Sequence, residues 1–337
     1  MMSTVVNMQS AQNVDMPKSL TPRFSVGEFG SVWIALLVLI ALSAWLAPGT
    51  LRLGALTAMA PFASFLAVVA VGQMLVIRQR GLDMSAGSMM TISGLVLAEL
   101  SNRSGMTVLP FVGTLVVAAL IGSINGLLIA RVNISPIVAT LAVDALLIGG
   151  VRKISDGTAL TMPSDFQQLT HASVLGIPSS LIFALGSIGV VAVLVNLTRR
   201  GRNFIAVGAS ARAAAASGLR VLHYQVGAYA AASVCFCLAG MMLAGFAGSA
   251  SQTAGADYLL PGIVAVIVGG TQFTGGKGSI VATAVAALFM TQLQQLVLSM
   301  GASPATQLLV QAAAIVVAVG MRSLPRLYRQ LQSRGAA

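Results

Sequence analysis

Charge is what this sequence has least of. Only 8% of its 337 residues are Asp, Glu, Lys or Arg, against about 25% in an average soluble domain. A water-soluble fold of this size could not cover its surface with so few. Acids are the scarcer half: eight carboxylates stand against 19 cations, a formal net charge of +11. Aromatic residues make up 5% and nowhere interleave with a basic stripe, which excludes the stacking-plus-phosphate pattern of nucleic-acid binding. Two histidines, His171 and His223, and two cysteines, Cys235 and Cys237, leave little material for metal or redox chemistry. The cysteines sit two apart in an apolar run, so they point to different sides of a helix. They read as small buried residues rather than a disulfide or metal pair. No H-E-x-x-H or G-x-S-x-G pattern occurs, and no catalytic residue, metal or cofactor is assigned.

What is present is grease, 57% of the chain, in continuous runs of about 17–25 residues rather than alternating ten-residue segments. The fold class is therefore an all-α integral membrane protein, because long helices satisfy their own backbone groups in lipid. Ten apolar segments are read at 31–47, 55–77, 86–100, 107–130, 135–150, 177–198, 222–247, 258–271, 280–299 and 304–321. The third, fifth and eighth are short, a sign of broken helices near a transport path. The polar first thirty residues, with Pro17 and Pro22, read as a cytosolic tail. The first apolar run starts too late for a cleavable signal peptide and is a retained span. Residues 31–321 form the membrane domain and 322–337 a basic cytosolic tail. Ten spans put both termini on one side. With both in the cytoplasm, only Arg52, Arg103, Arg152 and Lys153 lie outside and the other fifteen Lys and Arg lie inside, as the positive-inside rule requires. The longest outer connection, about 151–176, reads as a solvated loop where a solute or partner could also meet the chain.

Polar groups within this apolar chain are candidates for a translocation pathway. In "GLDMSAGSMM" (81–90), Asp83 can cap the helix that follows, with Ser85 as a second cap, and the turn is either a plain cap or a re-entrant element. Asp144, inside the fifth segment, costs at least about 2.5–3.5 kcal/mol on insertion scales and is a candidate solute acceptor or proton carrier. Gln73, Asn125 and Thr140 complete the candidate pathway set. These amides, with Gln292, Gln294, Gln295, Gln307 and Gln311, suit hydroxyl-rich solutes or helix–helix hydrogen bonds, and packing is the expected role for most. The glycine-rich "VGGTQFTGGKGS" (268–279) fails as a phosphate loop, since Thr271 stands where glycine is needed and Gly278 where a hydroxyl is needed.

"AVGASARAAAASGL" (206–219), within a basic loop at about 199–221, predicts a short helix outside the bilayer. Ser210 is its N-cap, Ala211 to Ser217 its body, and Gly218 its C′ residue. Eight residues reach only about 12 Å, and the small side chains make a smooth face that another protein can approach.

Three stretches, in this order, carry a resemblance. "GLDMSAGS", "AVGASARAAAASGL" and "VGGTQFTGGKGS" resemble the corresponding motifs of the inner-membrane permeases of ABC importers for ribose and related monosaccharides, a group that includes autoinducer-2 permeases. The likeness extends over about 55–321. It implies a bacterial inner-membrane permease subunit importing a sugar-like solute, with two such chains, identical or related, forming the pore. It implies a separate cytosolic ATPase as partner, held at Gly208, Ser210, Arg212, Ala214, Ala215, Ser217 and Gly218, and a periplasmic binding protein that delivers the solute. Ser210 stands where the family usually has asparagine, Ala142 where it often has glycine, and Asp144 where a neutral residue is usual. Two other readings stay open at this point: an ion-coupled secondary transporter using Asp144, and a scaffolding membrane protein.

Overall fold

The computed structural model describes residues 26–303, 305–314 and 316. Twelve helices and four two-residue strands are named within them. α1 (Val26–Leu46), α2 (Leu53–Arg78), α3 (Ala86–Ser104), α4 (Val108–Ala130) and α5 (Pro136–Ser155) follow one another through short turns. After a longer connection and its short α6 (Ser164–His171) come α7 (Ser179–Ala192), α8 (Arg199–Ala209) and α9 (Ala211–Ala216). α10 (Val221–Ala247), α11 (Ala256–Val268) and α12 (Ile280–Ser299) complete the set. The apolar segments read from the sequence up to 299 each coincide with a helix. The tenth is helical over 305–314; the rest of it and the tails at 1–25 and 322–337 lie outside the described residues.

Among the described residues, five helical stretches are long and apolar enough to cross a membrane: Leu53–Arg78, Val108–Ala130, Ser179–Leu197, Val221–Ala247 and Ile280–Ser299. The expectation of short third and fifth helices is corrected. α3 runs on to Ser104 and α5 to Ser155, because their polar ends stay helical after the apolar run stops. Arg103 pairs with Glu99 one turn back, a spacing that supports a helix end. Only α11, at 13 residues, remains short, reaching about 20 Å.

α2 is the axis of the bundle. Its Phe65, Val68 and Val69 join Met89, Leu95 and Phe236 in one apolar core. Its Leu66, Met74 and Ile77 join Ala265, Ala286 and Met290 in a second. α10 is the other central helix, packed against α2, α3 and α4. Its contact with α4 passes through Gly122 and Gly126, a G-x-x-x-G pair. A methyl added at Gly122 would lie 2.4 Å from the Tyr229 carbonyl oxygen, and one at Gly126 2.6 Å from the Val226 Cα. Both obstacles are backbone and cannot yield, so the two helices meet this closely only because those positions have no side chain. α4 and α7, by contrast, expose Val116, Leu120, Leu185 and Val190, apolar faces suited to lipid.

The connection between α5 and α7 is ordered. Phe166 of α6 is buried, and strand β1 (Leu160–Thr161) pairs antiparallel with β4 (Ser249–Ala250), which follows α10. A second small ribbon joins β2 (Ser173–Val174) and β3 (Ile177–Pro178).

Candidate functional site

Two features adjoin at the end of the bundle that carries α8 and α9. The first is a buried polar cluster around the turn between α2 and α3. Gln73, one and a half turns before the end of α2, donates from its amide to the Asp83 backbone carbonyl at 2.5 Å. The Asp83 carboxylate accepts from the Ser85 backbone N–H at 2.9 Å and from the Ser85 hydroxyl at 2.5 Å. Asn125 of α4 donates to the Ser85 hydroxyl at 3.1 Å. Thr140 of α5 accepts from the Met84 N–H at 3.0 Å and gives its own proton to the Pro136 carbonyl at 2.8 Å. Gln73, Asp83, Ser85, Asn125 and Thr140 are all fully buried. Five of the six pathway candidates therefore form one hydrogen-bonded unit that joins α2, α3, α4 and α5.

The sixth, Asp144, lies one turn beyond Thr140 and is only half-buried. Its charge reaches the cluster, since it acts on Asp83. Burial pushes the Asp83 carboxyl up to about 6, against the lowering effect of the two Ser85 hydrogen bonds, and the nearby Asp144 charge raises it further. The cap expectation is corrected here. Ser85 occupies the N-cap position of α3 but its side chain makes no capping bond, because its hydroxyl is drawn to Asp83. The second Asp83 oxygen, the Gln73 side-chain oxygen and the Asn125 side-chain oxygen are buried without a hydrogen-bond partner among the described residues. The Tyr229 hydroxyl, packed against Gly81 of the same turn, is likewise buried without a partner among the described residues. The amides farther along the chain behave as packing elements: Gln292 of α12 donates to the Ser43 hydroxyl of α1 at 3.1 Å.

The second feature ties the three sequence motifs to one another. The turn after α2, the end of α8 and the glycine turn before α12 are stitched together by one main-chain bond and by side chains of the α2 turn bonded to main-chain carbonyls. The Gly276 N–H donates to the Arg78 carbonyl at 2.9 Å, and Arg78 Nε returns a bond to the Gly276 carbonyl at 3.2 Å. Gln79 donates to the Phe204 carbonyl at 2.8 Å. Arg80 Nε donates to the Gly208 carbonyl at 3.3 Å, and its guanidinium also reaches the Ala209 carbonyl. The buried Arg78 guanidinium lies 5.9 Å from the Phe204 ring centre, within cation–π range. A methyl at Gly208 would stand 2.3 Å from the Arg78 carbonyl oxygen, and one at Gly276 2.8 Å from the Ala209 Cα.

α9 projects from this knot. The Ser210 hydroxyl accepts from the Ala213 N–H at 3.3 Å, so the predicted N-cap is observed. At the other end, Leu219 N–H donates to the Ala214 carbonyl and Gly218 N–H to the Ala215 carbonyl. With Gly218 at φ +80°, this is a Schellman cap. Arg212, Ala215, Ser217 and Gly218 are exposed and Ser210 half-buried. Gly208 and Ala214 are buried within the chain, so they are not on the face that α9 offers. Sequence reasoning missed the α2 turn residues Arg78, Gln79 and Arg80. Their only signal was an "RQR" run read as a topology marker. It also missed the G-x-x-x-G pair of α4, which was visible as "GSING".

A helical bundle of apolar spans, with a polar seam buried near one end and a basic, capped stub at that same end, defines the class: a multi-pass membrane protein. The chain belongs to the family described as branched-chain amino acid transport system / permease component, which matches residues 55–319. It is similar to the ribose import permease protein of Escherichia coli (strain K12), 32% identical over 292 residues that cover 85% of this chain and 91% of the relative. The galactose/methyl galactoside import permease protein of the same strain is 31% identical, covering 88% and 94%. The autoinducer 2 import system permease protein of Escherichia coli (strain SMS-3-5) is 32% identical, covering 78% and 82%. No solved structure matches. The family is one of transport permeases, and it does not favour the ion-coupled alternative built on Asp144.

Proposed function

We propose that this chain is the membrane-spanning subunit of an ATP-driven ABC importer for a monosaccharide or similar sugar-like solute. The observation that carries the reading is the connection between α9 and the polar cluster. The exposed stub is fixed through α8 to the Arg78–Arg80 turn, and that turn runs directly into Asp83 and Ser85. A force on α9 therefore reaches the ends of α2 and α3 through the Gln79 and Arg80 side chains, which hold the main-chain carbonyls of α8. A separate cytosolic ATPase grips α9, with Arg212, Ala215 and Ser217 making contact. Ser210 and Gly218 shape the helix, and Gly208 and Ala214 fasten it to the chain. A ligand or partner moves a conformational equilibrium only through differential affinity for its states, so the ATPase holds α9 more tightly in one state than in the other. Ten spans cross the bacterial inner membrane with both termini cytoplasmic. A periplasmic binding protein delivers the solute to the outer face, and two permease chains enclose the path.

The solute class follows the relatives rather than the broader family description. The three relatives are named for ribose, galactose or methyl galactoside, and autoinducer 2, whereas the family is named for branched-chain amino acids. The test is uptake of labelled ribose, galactose and leucine by cells producing this chain with the ATPase and binding protein of its own operon. Sugar uptake that ends on ATP depletion and persists with an uncoupler is expected. Leucine uptake without sugar uptake, or uptake abolished by the uncoupler alone, would overturn the reading.

A further inference from the structure

A cleft of about 1000 Å³ opens between α7 and α10, at the end of the bundle that carries α8 and α9. Its cause is local. The last turn of α7 continues as a π-helical turn, Val193–Leu197, which is wider than an α turn. Opposite it, α10 presents the small residues Gly227, Ala228 and Ala231. Leu75 of α2 closes the floor, with Leu194 and Val195 as one wall. The slot is open sideways as well as at its end, because Leu194 and Leu197 are exposed where α7 faces the bilayer. Water is a poor filler for walls of this kind.

The mouth is the reverse of the walls. Arg199 and Arg200 begin α8, Arg220 precedes α10, and all three line the cleft, with no carboxylate among its lining residues. None of the three guanidinium groups has an ion-pair partner among the described residues. An apolar slot opening toward lipid, closed at its mouth by three arginines, matches a molecule with a hydrocarbon chain at one end and an anion at the other. We propose that this cleft seats an anionic phospholipid. One acyl chain lies along Leu75, Leu194, Val195 and Gly227, and the phosphate sits between Arg199, Arg200 and Arg220. The lipid would wedge α7 from α10 directly beneath α8, whichever solute the protein carries.

The test is native mass spectrometry of the purified full chain, titrated with phosphatidylglycerol and, separately, with phosphatidylcholine. Retention of phosphatidylglycerol under conditions that strip phosphatidylcholine is expected. Each of Arg199→Gln, Arg200→Gln and Arg220→Gln should weaken that retention about fivefold, the effect of one cation near an anionic headgroup. Gly227→Leu supplies an independent arm. Nothing lies within 4 Å of the position its Cβ would occupy, so the larger side chain fills the slot, leaves the arginines in place and keeps the melting temperature. It should abolish retention. Equal retention of the two lipids, or full retention by Gly227→Leu, would overturn the proposal. So would displacement of the lipid by inorganic phosphate alone, which would make the site one for free anions. Loss of ATPase binding by the arginine variants with lipid retention unchanged would overturn it too, by assigning the cations to a protein contact.

Discussion

Asp83 is the only buried carboxylate among the described residues, and its charge is the costliest group in the candidate site. Its ordinary value is 3.8, and burial pushes it up to about 6. The folded protein therefore holds the Asp83 proton more tightly than the unfolded chain does. The sign of the linkage follows. Stability is unaffected below about pH 3.8, falls as pH rises through the interval to 6, and stays reduced above it. The penalty at neutral pH is on the order of 2–3 kcal/mol. Asp83→Asn removes the charge, keeps the acceptor that Ser85 uses, and adds an N–H donor where buried oxygens lack one. Between pH 4.5 and 7.5 the wild-type melting temperature in detergent should fall relative to the variant, and at pH 7.5 the variant should melt several degrees higher. Parallel curves for the two proteins would show that Asp83 does not titrate in this range. The sequence made Asp83, Ser85, Gln73, Asn125 and Thr140 visible one by one, because a polar residue in an apolar run stands out wherever it lies. It did not show that Ser85 abandons its cap for Asp83, since that choice depends on Asn125, which is distant in the chain. Nor did it show that Asp144 stays half-exposed, which depends on how α5 packs against α3 and α4.

At the scale of the element, α9 shows what local sequence can specify. Six residues form too short a helix to be stable alone in water. Ser210 and Gly218 nonetheless bound it as expected, because caps are set by residues within one turn. The four alanines looked equivalent in sequence and are not. Ala214 is buried and Ala215 exposed, a difference created by the position of α9 over its own chain. A carboxylate at Ala215 meets solvent in the free chain and, on the function proposed above, the ATPase in the assembled importer. One at Ala214 is buried without a partner, a change that costs several kcal/mol. Ala215→Asp should therefore keep wild-type expression and melting temperature while uptake falls at least tenfold. Ala214→Asp should lower the melting temperature and the yield as well. Paired measurements of thermal stability and uptake check this; wild-type uptake by Ala215→Asp would remove α9 from the coupling role. The knot beneath α9 was illegible for the opposite reason. Gly208, Gly276 and Arg78 are separated by up to about two hundred residues, and nothing near any one of them names the other two.

For the whole molecule, the decisive quantity is the alternation of sides. An apolar helix carries no direction of its own; the basic residues of the connections supply it. The connections after α4, within 199–220 and between α11 and α12 hold Arg131, five further arginines and Lys277. The connection after α1 holds Arg52 alone, and those after α3 and α5 follow Arg103 and the pair Arg152 and Lys153 at the ends of those helices. The weak point is α11. Its 13 residues cross only about two thirds of a hydrocarbon core about 30 Å thick. It completes a span only if the turns at its two ends lie on opposite sides. Both native cysteines are buried, so single cysteines placed at exposed positions can be read against a quiet background. Replacements at Leu53, Thr158 and Thr253 should react with an impermeant maleimide in intact spheroplasts. Those at Asn133, Ala216 and Phe273 should react only after permeabilisation. If position 273 labels together with 253, α11 turns back within the membrane and every later segment changes sides. The tenth segment would then deliver the basic tail to the periplasm, against the charge asymmetry of all the earlier connections. Labelling at 253 and 273 is for that reason the most discriminating single comparison, because the charge rule and the length of α11 give opposite answers there.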